Sequence, residues 1–147
     1  MIFGNYPATV DPKGRLKIPT AVRSYFEEAY GPDFFVTSID GGQSVRVYPL
    51  SVWKEIAEKL ASPPSFNKAK RKLADQTAYL GQTTRVDTQG RILIPAKLRE
   101  PAAMRGEVAV LAQVNRIDVW NDERLHEQIN AAPLTDEDLE NLSNLGI

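Results

Sequence analysis

The sequence predicts a mixed α+β fold in which two copies of a small β-rich motif interlock into one core. Two observations lead to this prediction. A segment that starts at Val10 recurs at Val86, an offset of 86 − 10 = 76 positions. Each copy combines short β-branched stretches, turns and one helix, and a unit of about 50 residues buries too little apolar surface to be stable alone.

The repeat can be followed position by position. Residues 10–23 read VDPKGRLKIPTAVR, and residues 86–99 read VDTQGRILIPAKLR. Valine, aspartate, glycine, arginine, isoleucine, proline and the final arginine match without a gap. A looser match follows, in which residues 45–48 are echoed by residues 117–120. The chain is therefore a duplication.

Each copy opens with a strand that ends at Val10 or Val86 and turns at the following Asp-x-x-Gly. The aspartate side chain accepts hydrogen bonds from nearby backbone N–H groups, and glycine suits position i+3 of a type I turn. A short return strand follows, over 16–18 or 92–94. The next proline suits the first turn of a helix, because its missing N–H needs no partner there.

The remainder of each copy predicts a helix and a hairpin. The first helix should run to about Ala29, before Gly31 and Pro32, whereas Pro101 should cut the second helix short. Hairpin strands are predicted over 34–39 and 45–48 in the first copy, and over 108–113 and 117–120 in the second.

Further helices are expected after each copy. Ser51 or a neighbour should cap an amphipathic helix, a linking helix should span about 66–79, and the acidic tail from Asn130 indicates a weak helix or a mobile segment. One face of the amphipathic helix carries Val52, Trp53, Ile56 and Leu60. The resulting domain boundaries are 1–52 for the first repeat, 53–78 for the helical linker, 79–124 for the second repeat and 125–147 for the C-terminal helix and acidic tail.

The composition argues against several classes of function. The chain has no cysteine and one histidine, His126, which lacks partners at metal-ligand spacing. No catalytic residue, metal site, cofactor or small-molecule substrate is therefore predicted. Apolar runs are far shorter than the roughly 20 residues that cross a bilayer, and no signal-peptide pattern opens the chain. We therefore expect a cytoplasmic protein without a membrane partner.

Basic residues of the repeated turn are the remaining candidates for function. Residues 10–23 carry four basic side chains against Asp11 alone, a local charge of +3. Residues 85–99, which include Arg85 before the second copy of the motif, are also +3, but Gln89 stands where the first copy has Lys13. The candidate DNA contacts are Lys13, Arg15, Lys17 and Arg23.

Two interpretations of these residues are open. In one, the motif arginines only pair with the turn aspartates, and an exposed pair contributes about 0–1 kcal/mol. In the other, Lys13 meets phosphate at the turn tip, and Arg15 offers a planar fork that fits guanine O6 and N7. A second basic cluster on the linking helix is either a solvated face or a phosphate contact. It consists of Lys68, Lys70, Arg71 and Lys72.

Asp-x-x-Gly-Arg followed by Ile-Pro, present twice, resembles the MraZ family of the SpoVT/AbrB-like superfamily. The likeness covers essentially the whole chain, including Phe3-Gly4 near its start and Tyr79-Leu80-Gly81 before the second copy. The resemblance implies a pseudo-two-fold β-barrel of two intertwined swapped-hairpin repeats with flanking helices. It also implies closed rings of subunits located on the nucleoid.

The function implied by the resemblance is that of a sequence-specific regulator that binds double-stranded DNA. Such proteins typically repress the cell-division and cell-wall gene cluster through direct repeats in its promoter. The resemblance assigns Asp11, Lys13, Gly14 and Arg15 to the first motif and Asp87, Gly90 and Arg91 to the second. A scaffold that uses its arginines only for subunit contacts is the alternative. Toxin–antitoxin partners with this fold resemble one repeat and a disordered tail, whereas this chain has two repeats.

Overall fold

The computed structural model describes residues 1–147 as eight strands and six helices. The strands are β1 (Gly4–Val10), β2 (Arg15–Lys17), β3 (Asp33–Thr37), β4 (Val45–Pro49), β5 (Gln82–Arg85), β6 (Arg91–Leu93), β7 (Gly106–Ala112) and β8 (Ile117–Asn121). The helices are α1 (Thr20–Tyr30), α2 (Leu50–Ala61), α3 (Lys68–Leu80), α4 (Ala96–Arg99), α5 (Asp122–Ala131) and α6 (Asp136–Asn144). None of the helices has the length and apolar character needed to span a bilayer.

All eight strands belong to one antiparallel sheet with the order β5-β3-β4-β8-β7-β1-β2-β6. Its two edge strands, β5 and β6, are consecutive in the chain and are joined by the second Asp-x-x-Gly turn. The sheet therefore curls into a nearly closed barrel. The mixed α+β fold and the barrel of two repeats are confirmed.

The two copies exchange strands. β1 of the first copy pairs with β7 of the second, where Val10 lies opposite Gly106. Reciprocally, β5 of the second copy pairs with β3 of the first, where Thr84 lies opposite Phe34. Equivalent strands also pair with each other, β2 with β6 and β4 with β8. These pairings give the barrel its pseudo-two-fold symmetry, and they confirm that the copies interlock.

One hydrophobic core is shared by both copies. The return strands and the residues that follow them bury Leu16 and Ile18 from one copy and Ile92 and Ile94 from the other. From the next helices, α1 adds Val22 and Phe26, and α4 adds Leu98. The position of Pro101 predicts a short second helix, and α4 indeed has only four residues.

Helix termini differ from the prediction in two places, and the tail adopts the helical one of its two predicted alternatives. Pro49, not Ser51, is the N-cap of α2, and no side chain caps that helix. The linking helix begins at Lys68, because the Asn67 side chain accepts a hydrogen bond from the Lys70 N–H at 3.0 Å. In the tail, α6 is a formed helix that starts at a capping box between Thr135 and Asp138.

We expect that neither half of the chain folds as a monomer. In residues 1–80 on their own, each of the strands β1, β2, β3 and β4 would lack one of its two neighbours, because β7, β6, β5 and β8 lie in the second copy. Near-ultraviolet circular dichroism of residues 1–80, of residues 81–147 and of their mixture checks this expectation. Only the mixture, or a concentration-dependent dimer of one half, should show fixed aromatic packing. Cooperative unfolding of a monomeric half would contradict the interlock.

Candidate nucleic-acid interface

The first Asp-x-x-Gly segment forms a tight hairpin turn between β1 and β2. The Gly14 N–H donates to the Asp11 carbonyl at 2.9 Å, and the Asp11 N–H donates to the Arg15 carbonyl at 2.9 Å. Gly14 has a φ of +82°, as required of the residue that follows a type I turn in a three-residue hairpin loop. Lys13 is exposed at the tip of this turn.

The Asp11 carboxylate organises the turn from within. Its Oδ1 accepts the backbone N–H groups of Lys13 and Arg15, each at 2.9 Å. Its Oδ2 accepts Nε of Arg15 at 2.8 Å. The backbone N–H of Arg15 holds the pKa of Asp11 below its ordinary value of 3.8, and the Arg15 guanidinium lowers the pKa further.

The ion pair of the first interpretation is therefore present, but it engages only one edge of the guanidinium. Neither terminal nitrogen of Arg15 has a hydrogen-bond partner in the chain, and the side chain is 34% exposed. A guanidinium fixed through Nε and open at its outer nitrogens can still form a bidentate contact. The ion pair and a role in recognition are compatible.

The second turn repeats this geometry. The Gly90 N–H donates to the Asp87 carbonyl at 3.0 Å, and Nε of Arg91 lies 3.2 Å from Oδ2 of Asp87. The backbone N–H of Arg91 is the main cause of the lowered pKa of Asp87. A terminal nitrogen of Arg91, Nη1, also lies 3.9 Å from Oδ2 of Asp11, and the Arg91 side chain is only 24% exposed. The two turns therefore lie side by side, with Arg91 between their carboxylates.

The second arginine of each repeat packs against the glycine turn of the other repeat. A Cβ placed on Gly14 would lie 2.0 Å from Nε of Arg99, and a Cβ on Gly90 would lie 2.9 Å from Nε of Arg23. Arg99 also donates to the Ile94 carbonyl at 3.0 Å. The matched arginines at the ends of the repeat are visible in the sequence, but the contact of Arg99 with the first turn was not predicted, because it crosses between copies.

Lys17 and Arg23, the other two candidate DNA contacts, lie beside the second turn. The Nζ of Lys17 donates to the Gln89 carbonyl, and Arg23 forms an ion pair with Glu27 at 3.7 Å in addition to covering Gly90. The four candidates are thus divided between adjacent turns. The structure brings them to one surface although the first copy supplies all of them.

Comparison with known proteins identifies the family. Residues 1–76 and 81–143 match the family model described as "MraZ protein, putative antitoxin-like". The chain belongs to the MraZ family. A relative from Acidobacterium capsulatum is 40% identical over 147 residues, and one from Koribacter versatilis is 42% identical over 148 residues, each covering 100% of both chains. A third, from Heliobacterium modesticaldum, is 37% identical over 97% of this chain and 96% of its own. All three are named "Transcriptional regulator MraZ".

The basic cluster on α3 is not part of this MraZ turn surface. Its members are exposed or half-buried, and the Nζ of Lys70 donates to the Ser62 carbonyl at 2.9 Å. No hydrogen bond or ion pair joins α3 to either turn. The cluster is therefore considered separately from the candidate DNA contacts.

Gly14→Ala should lower the free energy of unfolding more than Gly90→Ala. Both changes place a Cβ at positive φ, which costs about 1–2 kcal/mol. The new methyl group would lie 2.0 Å from Nε of Arg99 at Gly14 but 2.9 Å from Nε of Arg23 at Gly90, so the larger displacement is needed at Gly14. Urea unfolding measures the difference. In an Arg99→Ala/Arg23→Ala background the two glycine changes should cost the same, and a difference that persists there would show that the packing of these arginines on the turns is not its cause.

Lowering the pH should reduce the contribution of Asp11 and Asp87 to the free energy of unfolding only below about pH 4. Because the pKa values of Asp11 and Asp87 are lowered by folding, their contribution is complete above the ordinary value of 3.8 and is lost as pH falls through the lower folded values. Unfolding free energies measured from pH 2 to 6 test this expectation. The double variant Asp11→Asn/Asp87→Asn should remove part of the acid-dependent loss. If the double variant instead removed a transition between pH 5 and 6, the assignment would fail.

Proposed function

We propose that this chain regulates transcription by binding double-stranded DNA through its paired turns. The main support for the proposal is the arrangement of Arg15. Its Nε is hydrogen-bonded to Asp11, both terminal nitrogens have no hydrogen-bond partner in the chain, and the exposed Lys13 lies close by at the turn tip. The names of the relatives support the regulatory role. Binding to chromosomal DNA would locate the protein on the nucleoid.

In the proposed complex, the first turn makes the contacts that depend on sequence. Arg15 offers two parallel N–H donors to guanine O6 and N7 in the major groove. Lys13 meets a phosphate as a mobile point charge, and Lys17 adds a second cation beside the neighbouring turn. Arg23 supports the second turn through Gly90 and contributes charge to the same surface.

The second copy acts mainly as support for the first. Each basic side chain of residues 85–99 has a partner within the chain, and none of them occupies an exposed turn tip as Lys13 does in the first copy. Arg85 forms two hydrogen bonds with Asp33, at 2.9 and 3.1 Å, and the ammonium of Lys97 lies 3.4 Å from the ring centroid of Tyr79. Arg91 and Arg99 are held at the turns, and Gln89 takes the tip position. The copies therefore differ in role although their backbones match.

The finer parts of the proposal concern assembly and target. We propose a ring of subunits that engages direct repeats in the promoter of the cell-division and cell-wall gene cluster and represses it. A ring would present the same pair of turns at regular intervals, so that repeats about one helical turn apart are bound together. A scaffold without DNA binding is the competing function, and the Arg15–Asp11 ion pair is the observation that favours it.

Lys13→Ala and Arg15→Ala should weaken DNA binding in different ways. Arg15→Ala should lose about 1–3 kcal/mol of discrimination per engaged site, because a base contact is removed. Lys13→Ala should weaken binding to all sequences alike and reduce the salt slope by about one unit for each phosphate that is no longer neutralised. Gel shifts with promoter and scrambled duplexes over a range of salt measure both. Lys54→Ala, on the exposed face of α2, is the matched control for loss of charge.

Arg91→Ala should harm stability more than DNA binding. Its loss leaves two neighbouring carboxylates, Asp87 and Asp11, without the cation that lies between them. Thermal unfolding and gel shift, measured on the same preparation, separate the two effects. If Arg91→Ala abolished binding with the assembly intact while Arg15→Ala left binding unchanged, the roles of the copies would be reversed. If the native protein failed to shift its own upstream DNA at low salt, the scaffold would be favoured.

A duplex with four boxes should bind far more tightly than a duplex with one. The enhancement follows from linked binding events within one assembly and requires no new contact. Titration of one-box and four-box duplexes of equal length measures it. Equal affinity for both duplexes would rule out the multivalent arrangement.

A further inference from the structure

An apolar groove of about 430 Å³ lies where α2 and α3 meet β3. Phe35 and Trp53 lie along it with their rings stacked at 4.7 Å, and small residues such as Ala57 and Ala74 leave it open. Seven of its eight lining residues are hydrophobic, and none belongs to α6. Val52, which the sequence grouped with Trp53, is buried within the chain. The surface available to a partner is therefore this groove and not the whole helix face.

The helix α6 presents a largely exposed apolar face. Leu139 within the helix and Leu145 at its C-cap are 52% and 74% exposed, and Leu142 is partly buried. Their spacing of three residues places them on one side of the helix. No side chain of α6 forms a hydrogen bond or ion pair with another helix or strand. The capping box nevertheless keeps the helix formed.

The charges of α6 and of the groove wall are complementary. Residues 136–144 contain four acidic residues and no basic one, a charge of −4. Residues 68–80, which form α3, contain four basic residues and Asp75, a charge of +3. Two helices with exposed charges of opposite sign attract each other, and the attraction fixes their orientation. The α6 helix is therefore a candidate partner, other than DNA, for the basic cluster on α3.

We propose that α6 of one subunit docks in the α2–α3 groove of a second copy of this chain. The leucine face enters the groove, and the acidic residues lie against the basic side chains of α3. This contact would be the subunit interface of the ring, so the inference rests on the assembly proposed above. The two surfaces differ, so the contact is head-to-tail, and a succession of such contacts closes into a ring when the rotation permits.

Two substitutions test the two sides of the interface. Ala57→Arg fills the groove, and Leu139→Arg places a charge in the leucine face of α6. Both lie on exposed helix surfaces where arginine favours helix, so the barrel should persist in circular dichroism. Light scattering at micromolar concentration should give the mass of a single 16.4 kDa chain for each. The matched controls Ala29→Arg on α1 and Asn141→Arg on α6 should keep the native mass.

Mixing the two variants provides the sharper test. The Ala57→Arg chain has an intact α6, and the Leu139→Arg chain has an intact groove, so one productive contact can form between them. An equimolar mixture should therefore yield a dimer and nothing larger. A mixture that stays monomeric would contradict a head-to-tail interface.

A cysteine pair distinguishes docking between chains from docking within one chain. The protein has no cysteine of its own, so Leu139→Cys/Ala74→Cys introduces the only thiols. Mild oxidation should give a ladder of covalent oligomers on a non-reducing gel. Intrachain disulfides alone would show that α6 folds onto its own groove, and the proposal would fall.

Failure of this interface can be separated from failure of the proposed function. An oligomer unaffected by Ala57→Arg and Leu139→Arg would overturn the interface and leave the ring standing. A native chain that is monomeric would overturn both. DNA binding is measured independently, because Ala57→Arg leaves the turns untouched. It should retain one-box binding and lose the enhancement seen with four boxes.

Discussion

The structure depends on the antiparallel pairing of the two short return strands, β2 and β6. Leu16 lies opposite Ile92 at its centre. Beyond the strands, the carbonyls of Gly14 and Gly90 accept the N–H groups of Ile94 and Ile18, at 2.8 and 3.0 Å. The residue that follows each return strand is thus hydrogen-bonded to the glycine turn of the other repeat. The hydrogen bonds between β2 and β6 therefore both bring Leu16 and Ile92 into the core and place the two turns side by side.

Local chemistry made much of this fold predictable. The Asp-x-x-Gly turns depend on hydrogen bonds between residues at most four apart, so their geometry follows from the motif itself. The hairpins and the short α4 follow from glycine and proline positions. The tail is more ordered than its acidic composition suggests, because Thr135 and Asp138 have the spacing of a capping box. Ser51 is a plausible cap by residue type, but the helix begins at Leu50, with Pro49 as its N-cap.

The interlocking of the copies is predictable from the repeat, but the particular residue contacts between them are not. Arg99 covers Gly14 and Arg23 covers Gly90 only because the return strands pair across the pseudo-two-fold axis. Likewise, residues 10–23 and 85–99 both have a charge of +3 in the sequence, but the structure shows that the partners of Arg85 and Lys97 lie on β3 and α3. Duplication preserved the backbone pattern, while long-range partners made the two surfaces unequal.

The hydrogen bond between Asp11 and Nε of Arg15 also affects the entropy of recognition. A free arginine samples many rotamers, and fixing such a side chain on binding costs about 0.5–1.5 kcal/mol. Here the carboxylate, held in turn by two backbone N–H groups, restricts the guanidinium before any ligand arrives. Most of that ordering takes place when the chain folds. The acidic residue of a basic motif therefore preorganises its neighbour for binding.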